Sequence, residues 1–228
     1  MERLKGISSM ATRLVLAELA EKYQRQSGGS VEIESVGGVD AAKRVQAGEA
    51  FDVVILASDA IDKLIASGHA LADTKIDIAR SGVAVAVKRG MPAPDISSEE
   101  ALRRAVLQAR TISYSTGPSG TALAKLFLKW GIADEIKSKI VQPEPGIPVG
   151  TLVANGEVEL GFQQLSEMIH VNGISIVGPM PPEIQIITTF SGAVCGSSKA
   201  PDRALAFLDF LASSDAIEAK ARQGMESA

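Results

Sequence analysis

The chain holds one cysteine in 228 residues, Cys195, so no disulfide can form within it and the redox compartment is left open. The stretch Ser191 to Cys195 reads as buried strand, where a free cysteine behaves as a small hydrophobe rather than a reactive thiol. Aromatic residues, at 4%, are too sparse for base stacking, and the net charge of −4 comes without any dense Lys/Arg block, so a nucleic-acid partner is not expected. The two histidines, His69 and His170, stand apart with no second ligand at metal spacing, and read as surface residues near helix ends. No run reaches the roughly 18 consecutive apolar residues that span a bilayer, and no apolar leader core precedes the first structured segment. Membrane insertion is therefore not expected. The compartment reads as cytoplasmic for the sequence as it stands, and as periplasmic if a leader precedes it. Phosphate-loop, dinucleotide and G-x-S-x-G fingerprints are also missing, which argues against nucleotide binding, a cofactor and a serine hydrolase.

What is present is an alternation of helical and strand patterns along the whole chain, the mark of an α/β fold with helices covering a largely parallel sheet. Phe51 to Ala57 is a continuous apolar run of the kind expected for a strand buried on both faces. Ile76 to Val87 and Gln185 to Cys195 are long enough to cross between two lobes, which sets one lobe at 1–79 with 191–228 and the other at 80–190. A strand is expected at Val158 to Phe162 and a short helix at Val149 to Ala154, after a loop from Pro143 to Pro148.

Three strand-to-helix junctions are rich in hydroxyls or glycine: Gly6 to Thr12, with Ser8, Ser9 and Met10; Ser35 to Val39, with Gly37 and Gly38; and Tyr114 to Thr121, with Thr116, Gly117, Ser119 and Gly120. The first-turn N–H groups of a helix bind an anion without a cationic side chain, and serine or threonine hydroxyls add donors. The bland alternative is that these residues are ordinary caps and turns. Three junctions in one α/β chain favour a site, because ligands of open α/β sheets lie beyond the carboxyl ends of the strands. Arg80, inside the first crossing run, suits a ligand carboxylate, or else an ion pair with Asp77 or Asp52. Gln163 and Gln164, just past a strand, offer amide donors or simply begin a helix.

The segments AAKRVQAGEAFDVVILASDAIDKLIASG, YSTGPSG, VGTLVANGEVELGFQQ and FLDFLASSDAIEAKARQGM, with Ser8-Ser9 before the first helix, resemble the molybdate-binding-like branch of the bacterial extracellular solute-binding proteins. The resemblance covers essentially the whole chain. It implies the two-lobed type II periplasmic-binding fold, each lobe a mostly parallel sheet flanked by helices, with an anion in the inter-lobe cleft. In that branch serine side chains and main-chain amides hold the oxyanion, together with a tyrosine. Ser9 matches the serine, Gly37-Gly38 occupies the second loop, and Gln163 or Gln164 stands about where the tyrosine would be. With these departures the chain is nearest the subgroup that includes aconitate isomerase, whose members handle tricarboxylates. The implied ligand set is Ser8, Ser9, Met10, Gly37, Gly38, Val39, Arg80, Thr116, Gly117, Ser119, Gly120, Thr121, Val149, Gln163 and Gln164, with no metal.

The function expected is that of a monomeric binding protein that closes on a small carboxylate or oxyanion and serves an ABC permease. The alternatives are an isomerase of unsaturated polycarboxylates and a cytoplasmic ligand sensor.

Overall fold

A computed structural model of the chain describes residues 3–144 and 146–228. Pro145, inside the loop expected at 143–148, and residues 1 and 2 of the first lobe lie outside the described residues. The chain opens with β1 (Leu4–Ser9), α1 (Arg13–Ser27), β2 (Val31–Val36), α2 (Gly38–Gln46), β3 (Val53–Ala57) and α3 (Ser58–Ala66). Next come β4 (Ile76–Lys88), α4 (Glu99–Gln108), β5 (Ile112–Tyr114), α5 (Pro118–Lys129), α6 (Ala133–Ile136) and α7 (Val149–Asn155). β6 (Leu160–Gln164), α8 (Leu165–Met168) and β7 (Ile174–Pro179) follow. β8 (Ile187–Val194), α9 (Pro201–Ala212), α10 (Ile217–Arg222) and β9 (Glu226–Ser227) complete it.

Two compact units result, Met1–Ser81 with Thr188–Ala228, and Gly82–Ile187. The sequence sets these boundaries at 79/80 and 190/191. The packing moves them because Arg80 pairs with Glu226 of β9 and Phe190 with Ala57 of β3, which keeps both ends of the crossing strands in the first unit.

In the first unit β1 pairs in parallel with both β2 and β3, while β8 runs antiparallel to β3 and β9 antiparallel to the start of β4. β3 explains why its sequence shows no alternation. Val53 and Ile55 face one core with Leu16, Leu19 and Phe207, whereas Val54 and Leu56 face a second core with Ile7, Ile61 and Leu64.

The second unit repeats the device. β5 and β6 are parallel, and β4 lies antiparallel to β6 and to β7. Val83, Val85 and Val87 pack with Phe127 and Phe162, and Ala84 and Ala86 pack with Val149, Val153 and Met168 on the other side.

One expected strand is displaced. α7 ends at Gly156, whose φ of 82° is a left-handed conformation suited to glycine, and the N–H groups of Glu157 and Val158 turn back to the Leu152 carbonyl. The strand therefore starts at Leu160 instead of Val158, and Gln163 and Gln164 are its last residues rather than the residues after it.

Candidate functional site

The first corner is built by register. Ser8 lies opposite Ser35 and Ile55, and Ser9 opposite Val36, so the chain leaves β1, β2 and β3 at the same edge of the sheet and each strand is followed by a helical turn. The junctions touch: a Cβ on Gly38 would stand 3.7 Å from Ser9 Cβ and 3.9 Å from Leu56 Cδ2. Ser8 is fully buried and structural, since its hydroxyl pairs with Ser35 Oγ at 2.8 Å and reaches the Ser9 carbonyl at 3.3 Å.

Ser9 differs. Only 8% of it is exposed, it makes no side-chain cap bond to the short 3₁₀ turn Met10–Thr12 that it precedes, and among the described residues its hydroxyl has no hydrogen-bond partner. Capping is thus not its role, in contrast with Ser98 at the start of α4, whose Oγ accepts from the Ala101 N–H at 3.2 Å. Met10 is half-buried, Gly37 is exposed, and Val39 is 58% exposed at the rim. Asp40 stands in the first turn of α2 and competes with any anion there, whereas no acidic residue stands in the turn after Ser9. The junction before α3, with Ala57 at its N-cap and no side-chain cap, shares this edge and was missed in the sequence because Ser58-Asp59 looks like an ordinary cap.

A second corner lies within the other unit. Tyr114 pairs with Phe162, so the turn after β5 and the end of β6 are neighbours. Gly117 is the N-cap of α5, Pro118 follows at the first helical position, and no acidic residue stands in the first turn. The hydroxyls of Ser115 and Ser119 bond to each other at 3.0 Å, and Ser119 and Gly120 are buried while Thr116 is exposed. Thr121 turns its hydroxyl back to the Gly117 carbonyl at 3.3 Å. Val149 is fully buried in the core, so only its backbone can serve a ligand.

Gln163 is 5% exposed and largely committed. Its Oε1 accepts from the Gly150 N–H at 3.4 Å and its Nε2 donates to Glu167 Oε1 at 2.9 Å. Gln164 is likewise buried, at 3% exposure. Glu167 went unnoticed in the sequence because a glutamate in the first turn of a helix is commonplace. Its residue surface is partly open, yet protein surrounds the carboxyl closely enough that desolvation pushes its pKa up to about 7 against the opposing effect of the Gln163 N–H.

Arg80 lies in the first half of β4. It is exposed, and its Nε and Nη2 donate to the Ser227 carbonyl at 3.3 and 3.2 Å, tying β9 to β4. The ion pairs expected for it are not formed in the side-chain bonds seen: Asp77 accepts from Ser191 Oγ at 2.5 Å and Asp52 from Ser198 Oγ at 2.6 Å. Cys195 is buried, with its thiol pushed up to about 12 by burial and then by Asp52, so it is no nucleophile. Among the described residues no cluster of metal ligands occurs, and no helix is long and apolar enough to cross a membrane.

The family model for bacterial extracellular solute-binding proteins matches residues 4–226. The chain belongs to this family. Aconitate isomerase from Pseudomonas sp is 36% identical to the family member described here, over 98% of this chain and 87% of that protein. The periplasmic molybdate-binding protein of Azotobacter vinelandii superposes with a TM-score of 0.80 at 21% identity, covering 97% of this chain and 98% of its own. The sulfate-binding protein of Mycobacterium tuberculosis H37Rv gives 0.81 at 16% identity, covering 99% and 86%. At these identities the two structures establish the fold, the α/β architecture of the periplasmic-binding proteins with two units.

Proposed function

We propose that this solute-binding protein takes a small carboxylate anion at a Ser/Thr/Gly corner and delivers it to an ABC permease from an extracytoplasmic compartment. The observation that carries the reading is Ser9: a buried hydroxyl with no partner, beside the converging turns of Met10 and Gly38, supplies a donor that the protein itself leaves unused. Leaving a hydroxyl unsatisfied costs about 1–3 kcal/mol, a penalty that a ligand oxygen removes. Within the second unit, the first turn of α5, with Gly117 and Pro118 and no acidic side chain, offers donors of the same kind. Neutral dipoles suit a chain whose net charge is −4. A carboxylate is preferred over a tetrahedral oxyanion because Val39 and Met10 offer apolar surface to a carbon skeleton, and because the 36% identity is to a protein named for aconitate.

Isothermal titration with citrate, cis- and trans-aconitate, molybdate, tungstate and sulfate tests this. Carboxylates are expected to bind and the oxyanions not to. An absence of heat and of any thermal shift with every carboxylate would overturn the assignment. The second reading, turnover of an unsaturated polycarboxylate, is favoured by the same relative and by Glu167.

A further inference from the structure

We propose that Glu167 is the group that carries the proton in an allylic isomerisation of an unsaturated polycarboxylate bound at the second corner. The inference rests on the carboxylate reading given above.

The geometry fixes which oxygen acts. The Gly150 N–H can only donate, so the Gln163 carboxamide must turn its Oε1 toward it and its Nε2 toward Glu167. Glu167 Oε1 is thereby an acceptor, and Oε2 is left as the oxygen that takes up and returns a proton. This relay stands at the carboxyl end of β6, beside the turn from Ser115 to Gly120 that follows β5. The first-turn N–H groups of α5 supply positive potential at that edge for a substrate carboxylate. Burial raises the affinity of Glu167 for a proton and the Gln163 N–H lowers it. Among the described residues no charged side chain contributes, and His170, the next titratable residue along the chain, is exposed. A carboxyl poised near neutrality is suited to both halves of a proton transfer.

The step balances without a co-reactant. Glu167 Oε2 removes a proton from the methylene carbon next to a substrate carboxylate. The C–H electron pair becomes the new C=C bond as the original π pair moves to the far carbon, and that carbon takes the proton back from Glu167. Substrate and product are isomers, and the glutamate ends as it began.

The test uses the full chain with cis- and trans-aconitate, following isomer ratio and deuterium uptake by NMR in D₂O, with titration calorimetry on the same samples. The wild type is expected to interconvert the isomers. Glu167→Gln is expected to bind within about threefold and to lose about 10²–10⁴ in kcat. Gln163→Leu removes the N–H donor that lowers the Glu167 pKa, and is expected to move the acidic limb of the pH–rate profile, where the base must be ionised, to higher pH. Wild-type turnover in Glu167→Gln, or an unmoved profile in Gln163→Leu, overturns the proposal. A wild type that binds aconitate but leaves both isomers unchanged overturns it too, while the carboxylate reading stands. Absence of binding removes both. Should Glu167→Gln not fold, the Gln163→Leu profile and Glu167→Asp, expected to keep a measurable part of the rate, decide the matter.

Discussion

A Cβ built on Gly120 would stand 1.6 Å from the carbonyl oxygen of Ser115. The turn before α5 thus folds its backbone directly over the helix's first residues, and no side chain can yield to relieve the overlap. Gly120→Ala is expected to cost about 3 kcal/mol and to lower the melting temperature by roughly 10 °C. Gly117→Ala, where a Cβ would meet nothing nearer than Ser115 Oγ at 4.0 Å, is expected to stay within about 1 kcal/mol of wild type. Paired thermal melts check the contrast, and equal losses would mean that the turn relaxes freely.

Ser9 and Ser98 look alike in the sequence and should part company on mutation. Ser98→Ala removes a true cap and is expected to cost about 1 kcal/mol while ligand affinity is unchanged. Ser9→Ala removes a hydroxyl with no partner, so stability is expected to hold or rise slightly, while carboxylate affinity falls about 10- to 100-fold. Denaturation and calorimetry on both variants separate the two roles.

Lys220 is 1% exposed, and among the described residues its ammonium has no hydrogen-bond partner; burial lowers its pKa. Replacing an unpaired buried amine by a side chain of similar volume relieves desolvation. Lys220→Met is expected to stabilise the chain by about 1–3 kcal/mol, read as a rise in melting temperature with ligand affinity unaltered. A fall would show that the amine finds a partner in solution.

The α/β alternation was legible because β3 and the second half of β4, Val83 to Val87, are buried on two faces, which leaves continuous apolar runs. The three junctions were legible as compositions. What the sequence could not separate was capping from ligand donation, because both need a hydroxyl at the same place; only the missing bond at Ser9 and the filled one at Ser98 distinguish them. The bond that Arg80 makes was not legible for a different reason. Its partner is a backbone carbonyl 147 positions away, which no side-chain pattern announces. Glu167 was invisible because its raised pKa comes from burial, against the opposing effect of the Gln163 N–H, and not from residue type. The start of β6 was misplaced by two residues because the turn that Gly156 closes consumes Glu157 and Val158 as well.

Glu167 also sets a pH dependence whose sign follows from its pKa. Its carboxyl holds a proton up to about pH 7 in the folded chain, against an ordinary value of 4.5. Across that window the native state binds more protons than the unfolded chain, so stability declines as pH rises and the ionised form must be desolvated. The full effect is up to about 3 kcal/mol, since each pKa unit is worth about 1.4 kcal/mol. Thermal melts from pH 4.5 to 8 are expected to show this decline in wild type and a flatter curve in Glu167→Gln, whose neutral amide cannot ionise. Carboxylate binding at the neighbouring turn should weaken over the same interval, because a second negative charge appears beside the ligand. Parallel curves for the two proteins would mean that water reaches the carboxyl and that its pKa lies near the ordinary value.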